Sequence, residues 1–368
     1  MRRLAVHGLF IVTLLAVVAW LAPVPRNTDS EWYRILGREI VIPNCGGIHC
    51  TRVLVAAVLE HLPGPSDVKW KAYAVIANAI AGIAVARLCL LLEVSAPAAI
   101  GAAWISAFGF GSLYTLYDYY TSDPLMYLLG PLVAIAVWQK RIARAGVFSA
   151  IGVFAKEFAA APLWIFTFAA ALERRWDTAR RLCQAAAAVT LVWLTMQFAV
   201  RTWLNYTYHE STSADLLHGA YLAVWLQGVH TAGAVKYLFT TFSALWLLLP
   251  VGMAFSRRNR DLVLASIPAA AAFVYVQQPE RALWNFHFIV IPIAMQVLQQ
   301  LPRAAIVAFA VAFAVLNMRI GAQLELQMAG RAGLAVSLAI AAAAVWTALR
   351  SSRNPSHSGN PAPVRVDS

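Results

Sequence analysis

Charged side chains are scarce in this sequence, and acidic ones are the scarcer of the two signs. Only 12% of its 368 residues are Asp, Glu, Lys or Arg, with 17 acidic residues against 29 basic ones. Soluble domains carry about 25% charged residues. The shortage excludes an ordinary soluble domain, and no stretch of the chain is polar enough and long enough to form one.

Cysteine is also rare, which excludes a disulfide-rich scaffold. The chain has four cysteines, of which Cys45 and Cys50 frame His49 in a polar stretch. Two thiols and one imidazole at this spacing match no common zinc site, so the pair is either a disulfide or two free thiols. Cys89 and Cys183 lie in apolar runs, where we interpret them as small packing residues.

Apolar residues are what the sequence has in abundance. They make up 61% of the chain and recur in runs of about 17–25 residues, the length needed to cross a bilayer. We therefore predict an all-α, polytopic membrane helix bundle over residues 1–350, in which each helix satisfies its own backbone polar groups. The predicted spans are 4–24, 71–93, 97–117, 124–138, 145–172, 182–203, 234–255, 261–277, 286–301, 304–320 and 332–349.

The first apolar run follows Arg2 and Arg3 and extends to Ala22. A basic start followed by an apolar run is typical of a signal peptide. This run is long, however, and a cut after Ala22 would place bulky Trp20 where a small residue is required. We interpret it as an uncleaved first span.

The run 145–172 decides the predicted topology, because Lys156 and Glu157 interrupt it. If it crosses once, the arginine-rich stretch 173–181 lies outside. If it forms two short crossings with Lys156-Glu157 at the outer tip, the inside holds 16 basic and 5 acidic residues and the outside holds 12 of each sign. The remaining base, Arg87, is near the inner end of its span. The positive-inside rule favours the second arrangement.

We accordingly predict about 12 crossings (11–12) of a cell inner (plasma) membrane, with both termini in the cytoplasm. A re-entrant hairpin at 145–172 would serve equally well. The net charge of +12 then reflects topology, and no nucleic-acid partner is expected. The outer loop 25–70 contains the segment 52–62, which has the apolar spacing of a helix lying in the interface. The segment 216–231 predicts a second such helix, and 351–368 a disordered cytoplasmic tail.

Four outer segments carry residues suited to chemistry, and the first is the loop 26–33. Asp29 and Glu31 lie there beside Trp32 and Tyr33. A carboxylate at a membrane surface is able to act as a general base or to hold a metal ion. The alternative is an ordinary solvated loop, which the segment taken alone favours.

The second and third segments are 117–125 and the middle of 145–172. Asp123 precedes Pro124 and predicts a helix start, a capping role that would explain it fully. The same start fixes a carboxylate at the membrane surface. Lys156 and Glu157 are costly in an apolar run unless they face water, a partner or a ligand. They form either a self-paired hairpin tip or a place where a lysine neutralises a phosphate.

The fourth segment is 277–287, in which Arg281 offers a bidentate grip on phosphate or carboxylate. The alternative, about equally favoured, is anchoring in the interface with Trp284 in an aromatic belt. Arg52, which opens the predicted interfacial helix, adds another cation on the same side.

The order of these motifs resembles the membrane glycosyltransferases of the GT-C superfold. This group includes protein O-mannosyltransferases, arabinosyltransferases and the aminoarabinose transferases of lipid A. The likeness covers roughly residues 1–300 in layout and is greatest to uncharacterised bacterial members. It rests on a first span, an outer acidic loop, an interfacial helix opening with Arg52, Thr-Ser-Asp-Pro-Leu at 121–125, Gly-Val-Phe-Ala-Lys-Glu at 152–157 and Pro-Glu-Arg at 279–281.

The resemblance implies a transferase that moves a sugar from a polyprenyl-phosphate donor to an acceptor on the extracytoplasmic face. It implies that Asp29 is the catalytic base. Glu31 is able to share that role, because the loop reads Asp-Ser-Glu and has no adjacent pair of acids. Asp123 corresponds to the acid of the second outer loop. The groups that would stabilise the departing polyprenyl phosphate are Lys156, Arg281 and Arg52.

The chain lacks the soluble C-terminal domain with which many members hold a protein acceptor, which favours a lipid or glycan acceptor. A divalent cation, Mg²⁺ or Mn²⁺, bridging Asp29 or Asp123 to the phosphate is compatible with the resemblance, but no ligand cluster in the sequence demands it. The expected partners are a polyprenyl-phosphate-linked sugar, a lipid or glycan acceptor and membrane lipid.

Two other classes of function compete with this prediction. A lipid or solute transporter or flippase would show paired repeats, broken helices at the bilayer midplane and ionisable residues deep in its spans. A non-catalytic membrane scaffold would explain the apolar runs but not the gathering of acids and bases in the outer loops. In this sequence the charges cluster at one surface and the middles of the spans are nearly all apolar.

Overall fold

The computed structural model of the chain describes residues 2–22, 29–39, 48–203, 205, 240–273, 279–318 and 327–353. All regular secondary structure within these ranges is helical, which confirms the predicted all-α class. The helices are α1 Arg2–Leu21, α2 Asp29–Glu39, α3 Val53–Glu60, α4 Ser66–Leu91, α5 Ala96–Ala107, α6 Phe110–Tyr117, α7 Asp123–Trp138, α8 Ile142–Gly152, α9 Ala161–Leu172, α10 Trp176–Trp203, α11 Leu245–Phe255, α12 Arg257–Phe273, α13 Pro279–Trp284, α14 His287–Leu298, α15 Arg303–Asn317 and α16 Gln327–Arg353.

Five helical stretches in the described ranges are long and apolar enough to cross a membrane. They are α1, α4, Ala96–Tyr117, Trp176–Ala199 and Ala329–Ser351. Shorter apolar helices of 10–17 residues pack between them, α7, α8, α11, α14 and α15 among these. An α-helix rises about 1.5 Å per residue, so the shorter ones do not cover a hydrocarbon core of about 30 Å by themselves. The architecture is that of a membrane helix bundle, as predicted.

Several predicted boundaries differ from the observed ones. The second half of the predicted loop 26–33 is helical, because α2 begins at Asp29. The predicted span 97–117 is broken at Phe108 and Gly109 into α5 and α6. The predicted segment 52–62 contains the helix α3, and its position in a membrane interface stays a prediction. Helix α16 continues to Arg353, so 351–353 are not part of a disordered tail. The residues 354–368 and the predicted helix 216–231 lie outside the described ranges.

Contacts between helix termini define two ends of the bundle. At one, which we call the site end, Lys71 near the start of α4 donates a hydrogen bond to the carbonyl of Ala22, just after α1 (Nζ–O 3.1 Å). At the same end Asp123, the first residue of α7, pairs with Lys156 between α8 and α9 and with Arg281 on α13. The site end therefore gathers segments that are far apart in the sequence.

At the opposite end, which we call the basic end, the backbone N–H of Ser95 donates to Oε1 of Gln299 (2.8 Å). The guanidinium of Arg258, at the start of α12, lies 3.7 Å from the ring centroid of Trp138, the last residue of α7. Its Nε is 4.0 Å from Oε1 of Glu173, which follows α9. The charged residues described near this end include Glu93, Lys140, Arg141, Arg144, Glu173, Arg174, Arg175, Asp177, Arg257, Arg258, Arg260 and Asp261.

The stretch 145–172 forms a helical hairpin. Helix α8 begins after Arg141 at the basic end, and the chain turns after Gly152 so that Lys156 reaches the site end. Helix α9 then returns to Leu172, whose carbonyl accepts a hydrogen bond from Nη2 of Arg257 (3.3 Å) at the basic end. Because both termini of the stretch lie at the basic end, it forms a pair of short helices, and whether these cross a membrane twice or form a re-entrant hairpin stays a prediction.

Three helices terminate at the basic end in the same way. Glu93, Lys140 and Arg174, which follow α4, α7 and α9, adopt the left-handed conformation with φ of 61°, 58° and 59°. In each turn the next residue donates its N–H to the carbonyl five residues earlier, at 2.8–3.0 Å. This Schellman arrangement usually has glycine at the left-handed position, so all three residues carry a conformational cost.

Trp284 holds the broken helix α5–α6 against α13. Its side chain is fully buried, and an added Cβ on Gly109 would come within 1.9 Å of its Cη2. An added Cβ on Gly111 would lie 2.3 Å from its Cδ1. Both glycines are therefore required by this close approach. The predicted alternative of Trp284 in an aromatic belt is wrong, because the indole contacts protein on all sides.

Candidate functional site

The site end contains a buried ion-pair cluster centred on Asp123. Helix α7 begins at this residue, but its N-cap is Ser122, and the Asp123 carboxylate does not cap the helix. One oxygen, Oδ1, accepts a short hydrogen bond from Nζ of Lys156. The other, Oδ2, lies 2.8 Å from Nε and 2.6 Å from Nη2 of Arg281. Only 1% of the Asp123 side chain is exposed, so these cations are what makes its burial tolerable.

Arg281 is held by more than one carboxylate. Its Nη1 lies 3.2 Å from Oδ2 of Asp118, and its Nη2 donates to Oγ1 of Thr121 (2.8 Å). Its guanidinium also lies 4.8 Å from the ring centroid of Tyr114, a cation–π distance. Tyr114 lies on α6, Asp118 and Thr121 lie between α6 and α7, and Asp123 begins α7. The stretch 114–123 therefore binds the guanidinium of the arginine on α13.

The turn of the helical hairpin supplies two charges that face different partners. Lys156 binds Asp123, whereas Glu157 accepts a hydrogen bond from Nη2 of Arg52 (2.8 Å). The backbone N–H of Leu54 donates to the carbonyl of Phe154 (3.1 Å), which fixes the start of α3 on the turn. The predicted alternative of a self-paired Lys156-Glu157 tip is wrong. The Nε of Arg52 is buried and has no hydrogen-bond partner in the described part of the chain.

The charges of the cluster set its protonation. Burial alone would raise the pKa of the Asp123 carboxyl, but Arg281 and Lys156 outweigh burial and hold that pKa well below its ordinary value. Burial lowers the pKa of the Lys156 ammonium, and Arg52 and Arg281 add to this effect against the pull of Asp123. Burial likewise opposes ionisation of Glu157, yet Arg52 keeps its pKa low. At neutral pH the cluster thus contains carboxylates that are poor proton acceptors.

A second polar group at the site end joins α2, α4 and the segment before α7. Arg34 Nη2 donates to Oδ1 of Asp67 (2.9 Å) and to the hydroxyl of Tyr120 (2.7 Å), and its Nε also reaches that hydroxyl (3.0 Å). Tyr120 in turn donates to Oδ1 of Asp67 (2.5 Å). We call Arg34, Asp67 and Tyr120 the triad.

The buried carboxylate of Glu60 is linked to the triad by hydrogen bonds. Oε1 of Glu60 accepts hydrogen bonds from Nε1 of Trp70 (2.9 Å) and Oγ of Ser66 (2.5 Å), and its Oε2 lies 3.7 Å from Nζ of Lys69. Oγ of Ser66 is also 3.3 Å from the Tyr120 hydroxyl. The triad is therefore connected to the end of α3 through one shared serine.

The predicted site residues fall into two groups. Asp123, Lys156 and Arg281 meet directly, and Arg52 joins them through Glu157. Asp29 is the first residue of α2, but its side chain lies outside what the structure describes. Glu31 is on the same helix and is exposed. The predicted assignment of the catalytic base to Asp29 or Glu31 therefore stays a prediction.

Four polar residues of the site end were not predicted as site residues: Arg34, Asp67, Asp118 and Tyr120. Asp118 and Tyr120 lie in the segment 117–125 that drew attention for Asp123. Asp67 stands in the first turn of α4 after Pro65, a position that indicates only an ordinary helix start. A tertiary pairing between Arg34 and Asp67, 33 residues apart, leaves no local signal.

No model of a known protein family matches the chain. No curated protein matches it either. The resemblance to the GT-C superfold consequently stays a prediction.

The sequence left open whether the site holds a metal ion and whether the cysteines form a disulfide. Within the described residues no group of three or more His, Cys, Asp or Glu side chains is placed to hold a metal ion. Cys50 is disulfide-bonded, which decides between the two predicted alternatives in favour of a disulfide. Cys89 is buried and Cys183 partly buried, and both are free thiols, as expected of packing residues.

Proposed function

We propose that the protein is an integral membrane glycosyltransferase that moves a sugar from a polyprenyl-phosphate donor to a lipid or glycan acceptor on the extracytoplasmic face. The observation that carries the proposal is the convergence of Lys156 and Arg281 on Asp123, with Arg52 one ion pair away. Cations held in a buried, preorganised arrangement are suited to stabilising negative charge that develops on a leaving phosphate.

The location of the cluster also supports a lipid-linked donor. It lies where several apolar helices end, so the polyprenyl chain of a donor is able to stay in the bilayer while its phosphate reaches Lys156 and Arg281. The arginine-rich loops lie at the opposite end, which by the positive-inside rule is the cytoplasmic one. We therefore assign the site end to the extracytoplasmic face, with about 12 crossings and both termini cytoplasmic. The disulfide at Cys50 supports this assignment, since disulfides persist outside the reducing cytosol.

In the proposed reaction an acceptor hydroxyl attacks the anomeric carbon of the donor sugar. A new glycosidic C–O bond forms, the bond between the anomeric carbon and the phosphate oxygen breaks, and the electron pair leaves with polyprenyl phosphate. The proton of the hydroxyl passes to a carboxylate base, for which the resemblance implies Asp29, with Glu31 as the other candidate. Lys156, Arg281 and Arg52 would neutralise the departing phosphate.

Asp123 has a positioning role in this proposal. Both of its oxygens accept hydrogen bonds from cations, and its pKa is held low, so it is poorly suited to take a proton at neutral pH. It fixes the ammonium of Lys156 and the guanidinium of Arg281 in one place before the donor arrives. A general base must also be reached by the acceptor, and only 1% of the Asp123 side chain is exposed.

The described residues do not fit a bound divalent cation. They contain no cluster of three or more candidate ligands, and the carboxylate of Asp123 is occupied by Lys156 and Arg281. We derive no step that uses a metal ion. Neutralisation of the phosphate is assigned to the three cationic side chains alone.

Deletion of the protein followed by extraction of lipid-linked sugars tests the proposal. One polyprenyl-phosphate sugar is expected to accumulate, and its transfer by membranes should return with the wild-type chain. Lys156→Met removes a preorganised charge, and Arg281→Lys removes the bidentate geometry of another, so each should lower transfer about a hundredfold or more. Lys140→Met, at the basic end, is the matched control and should transfer normally. Transfer that survives both site variants would remove the basis of the proposal.

A lipid transporter or flippase is the second candidate, and the buried charges of Lys156 and Asp123 are what favours it. Ionisable residues inside membrane proteins also mark ion-coupled transport paths. The two functions separate in proteoliposomes. A transferase forms a new glycosidic bond with no change in the sidedness of the lipid, whereas a flippase moves a labelled polyprenyl-phosphate sugar across the bilayer and leaves it chemically unchanged.

A further inference from the structure

The triad differs from the ion-pair cluster in its access to solvent. The side chains of Arg34 and Asp67 are 40% and 38% exposed, whereas only 13% of Arg281 and 1% of Asp123 is exposed. The two groups are close in the chain, because Tyr120 precedes Asp123 by three residues. Three residues of extended chain span at most about 11 Å. The triad is therefore a solvent-exposed polar group next to the buried ion-pair cluster.

The chemistry of the triad matches a neutral ligand that both donates and accepts hydrogen bonds. A guanidinium only donates, and an ionised carboxylate only accepts. Arg34 and Asp67 lie side by side with opposite charges, so a phosphate would be repelled by Asp67 and a metal ion by Arg34. A hydroxyl group donates and accepts, and neighbouring hydroxyls of a sugar ring are able to bind the carboxylate and the guanidinium together.

A buried hydroxyl next to the triad has an unused hydrogen-bonding capacity. Tyr119 is fully buried, and its hydroxyl makes no hydrogen bond of normal geometry in the described part of the chain. Burial, the charge of Asp67 and a hydrogen-bonding contact with that carboxylate raise the pKa of Tyr119, so the hydroxyl lies beside Asp67 but is not in good hydrogen-bond geometry with it. A buried hydroxyl without a well-aligned hydrogen bond is destabilising. A ligand at Asp67 would remove that cost.

We propose that Arg34, Asp67 and Tyr119 form a binding site for the hydroxyl groups of a sugar ring, held in shape by Tyr120. The inference rests on the proposed function and adds to it the place of a sugar beside the phosphate-binding cluster. Either the sugar of the donor or a sugar of a glycan acceptor has this chemistry. Both would lie within reach of Lys156 and Arg281.

A purely structural role for the same residues makes a different prediction. Arg34 and Asp67 would then only fix α2 to α4, and the Tyr119 hydroxyl would have no role. Removing an unpaired buried hydroxyl is neutral or stabilising when nothing binds it. Tyr119→Phe therefore separates the two roles, because it should leave folding intact and weaken only the binding of a sugar.

The experiment uses the purified full-length chain in detergent with methyl glycosides of hexoses and pentoses as probes. Saturation-transfer NMR measures their binding to the wild type, Tyr119→Phe, Asp67→Asn and Arg38→Gln. Arg38→Gln is the matched control, because this arginine is exposed on the same helix α2. We expect at least one glycoside to bind, and Tyr119→Phe and Asp67→Asn to weaken it by on the order of tenfold, with unchanged melting temperatures. Arg38→Gln should match the wild type.

Transfer assays with the same variants identify the source of the sugar. A raised KM for the lipid-linked sugar indicates the donor, and a raised KM for the acceptor indicates the acceptor glycan. The inference is overturned if no glycoside binds the wild type, or if Tyr119→Phe and Asp67→Asn bind glycosides as Arg38→Gln does. In that event transfer that still depends on Lys156 leaves the proposed function standing. Glycoside binding that depends on Tyr119 in a chain without transfer activity would overturn the proposed function alone.

Discussion

The strongest energetic prediction concerns the loss of charge at Asp123. In Asp123→Asn the side chain keeps its shape, but Lys156 and Arg281 lose the carboxylate that neutralises them inside the bundle. Removing one partner of a buried pair costs about 3–5 kcal/mol, because the other charge is left buried without compensation. Arg281 retains Asp118 at 3.2 Å, so most of the cost should come from Lys156.

These costs predict that the effects of substitutions at Asp123 and Lys156 on the free energy of unfolding do not add. Lys156→Met alone leaves Asp123 with Arg281 and should cost less than Asp123→Asn. In the double variant Asp123→Asn with Lys156→Met, the loss of unfolding free energy should be about 0.5–3 kcal/mol smaller than the sum of the two single losses, because the uncompensated ammonium is gone.

The free energy of unfolding in SDS titrations of the purified protein measures these differences. Asp261→Asn is the control at the basic end: the Asp261 carboxylate is also buried, but its partners Arg257 and Arg260 are 63% and 53% exposed, so water solvates them when the carboxylate is lost. An ion pair with such an exposed partner is worth about 0–1 kcal/mol. If Asp123→Asn were no more costly than this control, or if its effect and that of Lys156→Met simply added, the buried cluster would not have the energetics assigned to it.

The remaining predictions concern protonation and backbone geometry. Because burial lowers the pKa of Lys156, its protonated form is lost at a lower pH than for an ordinary lysine. In Lys156→Arg the alkaline limb of the pH profile of kcat/KM should therefore move to higher pH. A limb that does not move would exclude this lysine as its cause. Gly109→Ala should destabilise the chain by about 1–3 kcal/mol, because its Cβ would meet Trp284 at 1.9 Å. Gly146→Ala, whose Cβ would lie 3.8 Å from its nearest neighbour, is the control and should be neutral or stabilising in thermal unfolding. Glu93→Gly should raise the stability by about 1 kcal/mol, since it relieves a left-handed residue at a helix end; a loss of stability there would contradict the cost assigned to that turn.

The apolar runs predicted the helical architecture, because the length of such a run shows which segments must be covered by a bilayer or by another helix. They placed α4 and α7 to within a few residues. They did not predict the break at Gly109, since a glycine in an apolar run is compatible with a continuous membrane helix. The break depends on Trp284, which approaches from a distant part of the chain. Packing of that kind leaves no mark in local sequence.

In the candidate site, too, local features could be predicted from the sequence and long-range contacts could not. The sequence indicated Lys156 because a charge in an apolar run is costly, and it indicated Arg281 because of its residue type. It did not show that both would bind Asp123, whose position before a proline had an adequate local explanation as a cap. Arg34 and Asp67 were missed because each is unremarkable in its own surroundings. Their significance comes only from the distance between them, 2.9 Å.

The order in which the ribosome makes the site has a consequence for membrane insertion. Lys156 is synthesised 33 residues after Asp123, and Glu157 is synthesised 105 residues after Arg52. Both charges of the hairpin turn therefore emerge when their counter-ions already exist, and each new pair neutralises the earlier charge as the hairpin enters the bilayer. Arg281 arrives 158 residues after Asp123 and supplies the last positive charge, which balances Asp118.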